Sequence, residues 1–277
     1  MSMPYRVLAL GAGGNRGFLH VGAILELERY CGGNLQKQFS KGVYGTSVGS
    51  LMATAVAFGL SGSQIQRLAK KFLNTRSFMP PMHEVVTSSI LTKKGCIAMD
   101  MFEKTVVDGF KLEGIDLSTK TLGNAGMPLY IVASNITQGI PTIFKKDVPV
   151  MTALKASCCL PGIFQPIEYR NQLYIDGDIL TPTIFSILPS MYHSESLVLN
   201  LRQYHAGITP ARLSTMNLLE YTYSLYKISH GYAYRKINHR SSIDLVYAGV
   251  SSISEISSDV EDDMILTGKC MVRNFLS

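Results

Sequence analysis

Short apolar runs alternate with longer amphipathic stretches along the first part of the chain. Tyr5–Leu10 is mostly apolar and is followed by glycines, which predicts a short buried strand. Apolar residues then recur at helical spacing from Phe18 to Tyr30, and Gly32 and Gly33 end that pattern. The chain is therefore predicted to begin with a strand, a Gly-rich turn and a helix.

The same unit recurs further along. Gly42–Gly45 predicts a brief strand, Ser47–Phe58 a helix of small residues, and Ser61–Leu73 a helix with Ser61 as its N-cap. Further strands are predicted at Leu129–Ser134, Thr142–Lys145, Leu173–Ile175, Leu197–Leu201 and Ile243–Ala248, and further helices at Met99–Phe110, Val150–Cys159 and Arg212–Lys236. Strands that alternate with helices predict an α/β fold with three layers, α/β/α, around a mostly parallel central sheet.

The composition is that of a folded protein that exposes little charge. A chain of 277 residues can bury a sizeable core without disulfides or metals, and no repeat or linker divides it, so residues 1–277 are expected to form one domain. Apolar residues make up 46% and charged residues 17% of the chain, whereas about 25% charged is typical of soluble domains. Much of the surface must be neutral or apolar, which is compatible with a hydrophobic substrate.

Cysteines, apolar runs and charge exclude several classes of protein. The five cysteines follow no zinc or disulfide spacing, which favours a reducing compartment and predicts no metal site. The apolar run after Arg6 is too short for a signal peptide, and Leu51–Leu60 is about half as long as a membrane span, so a cytoplasmic protein is expected. The net charge is +6, but the sequence contains no known nucleic-acid-binding motif, so no nucleic-acid partner is expected.

The string Gly45-Thr46-Ser47-Val48-Gly49 is the strongest indication of chemistry. It matches GxSxG and lies where a predicted strand turns into a predicted helix, the context in which this motif lifts a nucleophilic serine out of a sheet. The N-terminus of the following helix would stabilise negative charge at the same point. The alternative is a chance match in a chain with 24 glycines.

A second Gly-rich string joins the first strand to the first helix and reads Gly11-Ala12-Gly13-Gly14-Asn15-Arg16-Gly17. Successive N–H groups in such a turn bind an anion, either a dinucleotide pyrophosphate or the oxyanion of an acyl-transfer intermediate. A dinucleotide frame that starts at Gly11 needs glycine where Arg16 stands, and no acidic residue ends a second strand about 20 residues later. A nucleotide-binding oxidoreductase is therefore the weaker interpretation.

The third element is Asp176-Gly177-Asp178, directly after a predicted strand. A carboxylate there would lie at the carboxyl edge of the sheet, where Ser47 is also expected, although an ordinary Asp-Gly turn is the alternative. A histidine-dependent α/β-hydrolase would need a third residue from the C-terminal part of the chain. No histidine stands in an obvious strand-end context, and that alternative rests on one such as His193 or His205.

Taken in this order, the Gly-rich turn, GxSxG and the Asp-Gly pair resemble the patatin-like phospholipase family. The segment 156–167, Ala-Ser-Cys-Cys-Leu-Pro-Gly-Ile-Phe-Gln-Pro-Ile, resembles the family's approach to its aspartate strand. The resemblance covers about residues 5–188 and leaves a mainly helical C-terminal extension at about residues 205–277. It implies a patatin-like fold and a lipid acyl hydrolase that needs no cofactor and cleaves carboxylic esters of phospholipids or related acyl lipids.

The resemblance also implies roles for individual residues. Ser47 would be the nucleophile and Asp176 the base of a Ser-Asp dyad that works without histidine. Gly13, Gly14, Asn15 and Arg16 would form the oxyanion hole, chiefly through the N–H groups of Gly13 and Gly14. The glycines that support these motifs are Gly17, Gly45, Gly49 and Gly177.

Two residues depart from the family pattern. Ala12 replaces a glycine, and its methyl group fits if the φ angle there is negative. Asp178 stands where the family has Gly or Ala, and its charge would either raise the pKa of Asp176 or point away from it. A third hypothesis follows, in which Asp178 has spoiled the site and the protein binds lipid without turnover.

Two further segments allow more than one interpretation. Arg212–Lys236 is rich in tyrosine and basic towards its end, so this helix could either rest on an anionic membrane surface as a peripheral contact or pack its Tyr and Leu face on the sheet. Arg76–Lys94 has little pattern and is the candidate for a lid, although a packed surface loop is the alternative.

Overall fold

A mixed sheet organises the chain in the computed structural model, which describes residues 3–73, 97–202, 207–216, 218–235, 241–248, 250 and 256–277. Its strands are β1 (Val7–Leu10), β2 (Gly42–Thr46), β3 (Leu129–Asn135), β4 (Ile140–Phe144), β5 (Ile167–Tyr169), β6 (Gln172–Asp176), β7 (Ser196–Arg202) and β8 (Ser242–Val246). The order is β5-β6-β3-β2-β1-β7-β8, with β4 paired to β3. The pairs among β3, β2, β1, β7 and β8 are parallel, so the prediction of a mostly parallel α/β sheet is confirmed.

Helices connect most of these strands. They are α1 (Gly17–Tyr30), α2 (Leu35–Gln38), α3 (Val48–Ala57), α4 (Gly62–Phe72), α5 (Asp100–Leu112), α6 (Val150–Cys158), α7 (Pro210–Leu213), α8 (Leu218–Arg235) and α9 (Ser258–Leu276). The helices predicted between Phe18 and Cys159 are confirmed to within two residues. The N-cap of α4 is confirmed as well, because the Ser61 side chain accepts from the backbone N–H of Gln64 in a capping box.

The prediction of one helix over Arg212–Lys236 is wrong. The chain forms the short helix α7, leaves the helical path at Ser214 and Thr215, and resumes as α8 at Leu218. The hydroxyls of Ser214 and Thr215 donate to the carbonyls of Ala211 and Arg212, at 2.8 and 2.9 Å. Such local side-chain bonds compete with helix continuation, which explains the break.

The strands bury alternate residues on two faces of the sheet. In β1, Leu8 and Leu10 face the main core with α1 and α3, whereas Val7 and Ala9 face the second layer. That second layer is built in part from the 3₁₀ helix Ile184–Ile187 rather than from long α-helices. Both faces of the central strands are therefore covered, as their nearly continuous apolar sequences require.

The register of β3 brings two strand ends together. Its N-terminal half pairs in parallel with β2, up to Thr46 opposite Val132. Its C-terminal half pairs antiparallel with β6, which ends with Asp176 opposite Ala133. β4 pairs along the other edge of β3. β2 and β6 therefore both pair along the same edge of β3 and meet end to end. The residues that follow Thr46 and that end β6 must therefore be neighbours.

One sequence interpretation concerns a segment beyond this description. The lid candidate Arg76–Lys94 falls within residues 74–96 and so lies outside the described residues. Among the helices that the structure describes, none is long and apolar enough to cross a bilayer.

Candidate active site

Ser47 occupies a strained turn between β2 and α3. Its backbone has φ 53° and ψ −128°, a left-handed conformation that non-glycine residues rarely adopt. The turn is held from both sides, since the Ser47 N–H donates to Ser157 Oγ at 2.9 Å and the Ser47 carbonyl accepts from Ser50 Oγ at 2.6 Å. Strain that the surroundings maintain in this way is typical of functional sites.

The glycines that flank Ser47 allow the backbone to approach other chain segments closely. A Cβ atom on Gly45 would lie 2.5 Å from the Gly49 carbonyl oxygen, and one on Gly49 would lie 2.1 Å from the Leu10 carbonyl oxygen. Neither contact is sterically allowed, so the GxSxG spacing here reflects packing of the turn against β1. The N-terminus of α3 is thereby held at the carboxyl edge of the sheet.

Asp176 is the hydrogen-bond partner of the Ser47 hydroxyl. Ser47 Oγ donates to Asp176 Oδ2 at 2.6 Å, and Asp176 Oδ1 accepts from the Asp178 backbone N–H at 2.9 Å. The two residues meet because β2 and β6 end against each other. The sequence reasoning placed both on one parallel edge, whereas β6 in fact runs antiparallel to β3 and approaches Ser47 from the opposite direction.

The Asp176 carboxyl group is a stronger base than an ordinary aspartate. Its side chain has no exposed surface. Burial raises the pKa of Asp176 to about 7, with a further contribution from the negative charge of Asp178, while the hydrogen bond from Ser47 acts in the opposite direction. A carboxylate with a pKa near neutrality is suited to accept a proton during a reaction at neutral pH.

Asp178 turns its side chain towards α8. Its carboxylate lies 3.1 Å from the Tyr226 hydroxyl, 3.5 Å from Lys227 Nζ and 3.1 Å from His230 Nε2. Burial alone would raise the pKa of Asp178, but Lys227, His230 and Tyr226 together hold it well below its usual range. Asp178 therefore points away from Ser47 and still contributes its charge to the environment of Asp176, so both effects considered for this residue occur.

The Gly-rich turn lies beside the same strand ends. Gly14–Arg16 forms a 3₁₀ helix, and Arg16, 1% exposed, donates through Nε to the Gly13 carbonyl at 3.3 Å. In the part of the chain that the structure describes, the N–H groups of Gly13 and Gly14 donate no hydrogen bond. Ala12 does not have a positive φ angle, so its methyl group is accommodated. Asn15 is buried in the same turn.

The supporting glycines Gly17 and Gly177 also stand at close contacts. A Cβ atom on Gly17 would lie 2.5 Å from a methyl carbon of Val48, and one on Gly177 would lie 2.5 Å from the Val132 carbonyl oxygen. Gly17 therefore packs the Gly-rich turn against α3, and Gly177 packs the Asp-Gly pair against β3.

Histidine does not join Ser47 and Asp176 in the described part of the chain. His193 precedes the amino end of β7, and its Nε2 lies 3.0 Å from the Leu188 carbonyl, at the edge of the sheet away from Ser47. His230 approaches Asp178 and not Asp176, and His205 lies outside the described residues. The described residues also contain no group of three side chains that could hold a metal ion.

Sequence reasoning missed several residues that build this site. Ser157 donates to the Val132 carbonyl at 2.6 Å while it accepts from the Ser47 N–H, and so links α6, β3 and the turn. Its neighbours Cys158 and Cys159 are buried free thiols. Tyr226 and Lys227 are the other omissions. Only the string around Ser157 carried a sequence signal, since the α8 residues act from a segment with no motif.

Comparison with known proteins gives concordant results. A family model described as "Patatin-like phospholipase" matches residues 8–188. An uncharacterized protein of Bacillus subtilis, YqhO, is 27% identical over 61% of this chain and 62% of its own length. An intracellular phospholipase A2 of Caenorhabditis elegans is 25% identical over 70% of this chain and 18% of its own length. The chain thus spans less than two thirds of these relatives.

Solved structures show the same fold. VipD from Legionella pneumophila superimposes with a TM-score of 0.59 at 16% identity, over 99% of this chain and 67% of VipD. The α/β/α arrangement around a mostly parallel sheet is therefore shared beyond the matched segment 8–188.

Proposed function

Because the chain belongs to the patatin-like phospholipase family, we propose that it is a lipid acyl hydrolase in which Ser47 is the nucleophile and Asp176 the base. The observation that carries this proposal is the 2.6 Å hydrogen bond between Ser47 Oγ and the buried Asp176 Oδ2. The substrates are carboxylic esters of phospholipids or related acyl lipids, and the reaction uses no cofactor.

The proposed reaction has two halves. Asp176 accepts the Ser47 proton as Oγ attacks the ester carbonyl, so that an unfavourable free alkoxide never forms. The resulting oxyanion accepts hydrogen bonds from the Gly13 and Gly14 N–H groups, beside the N-terminus of α3. The alcohol leaves with the proton from Asp176, and water then attacks the acyl-enzyme through the same steps. Asn15 and Arg16 keep the turn in shape.

Asp178 does not spoil this arrangement. Its carboxylate contacts Tyr226, Lys227 and His230, and only its backbone N–H reaches Asp176. These contacts favour catalysis over the hypothesis of a lipid-binding protein without turnover. Since they come from α8, we propose that the C-terminal extension at about residues 205–277 works with the family-like portion as one domain.

Substitution of the two proposed catalytic residues tests this function. Ser47→Ala and Asp176→Asn are each expected to lower hydrolysis of a soluble ester and of micellar phospholipid at least about a thousandfold, because each removes a group that acts only in the reaction. A fluorophosphonate should label the wild type and not Ser47→Ala. His193→Ala serves as the control and should retain activity. Turnover by purified, folded Ser47→Ala would refute the mechanism.

We also propose that α8 rests on lipid surfaces as a peripheral contact. Leu225, Ile228 and Tyr232 are 45%, 39% and 62% exposed and stand three and four residues apart, so they form one apolar stripe. Polar residues on the opposite side of α8 hold the helix to Asp178. Three side chains are too few for a protein interface of about 800 Å² per partner. The sequence continues with basic residues, which anionic lipids attract.

Vesicle binding tests this contact. In the Ser47→Ala background, which prevents hydrolysis, replacement of Leu225, Ile228 and Tyr232 by serine should weaken sedimentation with anionic vesicles about tenfold or more, because the buried apolar area is lost. Leu112→Ser is the matched control, since Leu112 is 75% exposed on α5. Equal binding by the triple variant and the control would contradict the proposal.

A further inference from the structure

Two tight hairpins stand side by side at the carboxyl edge of the sheet. One joins β3 to β4, and the other joins β5 to β6. They are hydrogen-bonded to each other, since the Ile136 N–H donates to the Leu173 carbonyl and the Leu173 N–H donates to Thr137 Oγ1, both at 2.9 Å. We call residues 135–140 and 169–173 together the double hairpin.

The double hairpin projects beyond the proposed nucleophile. Thr46, the residue before Ser47, pairs with Val132 of β3. Ile136 follows four residues later, so at the rise of a strand, about 3.3 Å per residue, it stands about 13 Å farther out than Thr46. β6 runs back from this height to Asp176, the partner of Ser47. A lipid surface that comes near Ser47 therefore meets the double hairpin on the way.

Exposed apolar side chains lie on both faces of the double hairpin. Ile136 and Leu173 are 42% and 41% exposed and, by the alternation of β3 and β6, share one face. Ile140 is 49% exposed and pairs with Asn135, which places it on the other face. A protein partner covers one face of a hairpin, whereas a lipid layer surrounds both. This distribution therefore favours lipid.

Arg170 adds a positive charge at the tip of the second hairpin. Arg170 and Asn171 have φ angles of 51° and 58°, as in a type I′ turn, where Asn and Gly are preferred. Arginine is unfavourable with this backbone, so its presence points to a role for the side chain. Its guanidinium lies 5.0 Å from the centre of the Tyr169 ring, and no carboxylate of the described residues pairs with it. Tyrosine beside a cation is typical of a membrane interface.

We propose that the double hairpin inserts into the surface of a lipid bilayer and holds the Ser47 edge of the sheet against it. α8 lies on the other side of β2, since Tyr234 is hydrogen-bonded to Asp244 of β8, so the two lipid contacts flank the site. The inference rests on the proposed hydrolase function for its purpose, but insertion itself requires no hydrolysis. Three apolar side chains are too few for a protein interface of about 800 Å² per partner.

Tryptophan fluorescence measures insertion directly, because the sequence contains no tryptophan. Ile136→Trp and Leu173→Trp are each made in the Ser47→Ala chain. Met191→Trp is the matched control, since Met191 is 72% exposed just before the amino end of β7. On phosphatidylglycerol vesicles both hairpin reporters should shift to the blue and lose about half or more of their emission to brominated acyl chains, and the control should do neither.

Three results would overturn the proposal. The first is unchanged emission of the hairpin reporters on vesicles. The second is a blue shift without quenching by brominated chains, which would indicate a protein contact instead. The third is equal quenching of the Met191→Trp control, which would indicate binding without a preferred face.

Charged substitutions measure what insertion contributes to activity. Ile136→Asp combined with Leu173→Asp should lower hydrolysis of vesicle phospholipid at least about tenfold and leave a soluble ester unaffected, because carboxylates enter lipid only at a high cost. Met191→Asp is the control and should affect neither substrate. An equal loss on both substrates, or no loss on vesicles, would overturn the proposal. A wild type that cleaves neither substrate refutes the hydrolase function, while the fluorescence still decides insertion.

The charge at the tip is tested separately. Arg170→Gln should weaken sedimentation with anionic vesicles about fivefold and leave binding to neutral phosphatidylcholine vesicles unchanged. Lys145→Gln is the matched control, since Lys145 is exposed just past the end of β4 that lies away from the hairpin turn. Equal weakening by the two substitutions would contradict the placement of Arg170 at the lipid surface.

Discussion

At the scale of single residues, Asp178 links the proposed base to α8. The base must be ionised to act, so activity is expected to fall as the pH drops below about 7, where Asp176 becomes protonated. Asp178→Asn removes a repelling charge and should move this acid limb to lower pH. Lys227→Gln removes an attracting charge and should move it to higher pH.

The measurement is kcat/KM against pH for a soluble ester, which avoids effects of the lipid surface. Lys104→Gln on α5 is the control for loss of a lysine, because Lys104 pairs with Asp108 on the same helix. If Asp178→Asn and Lys227→Gln shifted the acid limb in the same direction, the proposed effect of these two charges on the pKa of Asp176 would be contradicted.

The sequence pointed to Ser47 and Asp176, which the structure places in contact, and their catalytic roles stay a prediction. Ser47 was recognisable because GxSxG requires a strand-to-helix turn, and Asp176 because it ends a short apolar strand. The Asp178 partners could not be predicted, since Tyr226 and Lys227 reach the site only through the tertiary placement of α8. Ser157 was hidden for a similar reason, because its role depends on α6 packing against β3.

At the scale of elements, the parallel strands and most helices between them followed from apolar periodicity, whereas α2, β5 and α9 were not predicted. β5 spans three residues, two partly buried and one exposed, so it shows no apolar run. α9 does carry an acidic first turn and buried residues at helical spacing, among them Met264, Gly268 and Val272. The sequence predicted a mainly helical extension at about residues 205–277 but no separate helix here, since Gly268 interrupts the apolar pattern.

Gly268 lies where α9 packs closely against α1. A Cβ atom on Gly268 would lie 2.2 Å from the Leu19 carbonyl oxygen of α1, and one on Gly22 would lie 2.0 Å from the Ile265 carbonyl oxygen of α9. Gly268→Ala is therefore expected to destabilise the fold by about 1–3 kcal/mol, because the two helices must move apart.

Gly231→Ala is the matched control for this prediction. Gly231 is also inside a helix, but no atom of the described residues lies within 4 Å of a Cβ placed there, so alanine should stabilise the fold by up to about 1 kcal/mol. Urea denaturation followed by circular dichroism measures both free energies of unfolding. Stabilisation by both variants would show that helix propensity outweighs the contact of Gly268 with α1.

At the scale of the whole molecule, two buried carboxyl groups give opposite pH dependences of stability. Hydrogen bonds from Arg273 and Arg29 lower the pKa of Glu26 to about 2, so Glu26 stabilises the fold above its unfolded pKa and loses this effect as the pH falls through about 2. The pKa of Asp176 is raised, so its contribution is present at low pH and is lost as the pH rises through about 7.

Asp176→Asn is accordingly expected to stabilise the protein at alkaline pH. At pH 8 the gain should reach up to about 4 kcal/mol, the free energy that corresponds to a pKa raised from 3.8 to about 7. The gain should shrink as the pH falls to 4. Urea denaturation at both pH values measures it, with Asp147→Asn on the exposed surface as the control. A variant less stable than the wild type at pH 8 would contradict the assigned environment.

The fold class was predictable from the sequence because alternation of strands and helices leaves few arrangements for a parallel sheet. The antiparallel direction of β6 was not predictable, since a short strand carries no sign of its orientation. The match to the family model ends at residue 188, yet β7 pairs directly with β1. Residues beyond the matched segment therefore complete the sheet.

The position of β1 also has a consequence for how the chain is made. Val7 of this first strand pairs with Gly42 on one side and with Ser196 on the other. During synthesis one edge of β1 lacks its partner until β7 leaves the ribosome, although β2 is available early. An open strand edge is a template for pairing with other chains, and distant parallel pairing is slow. The nascent chain therefore carries an open, aggregation-prone strand edge at the centre of the future sheet.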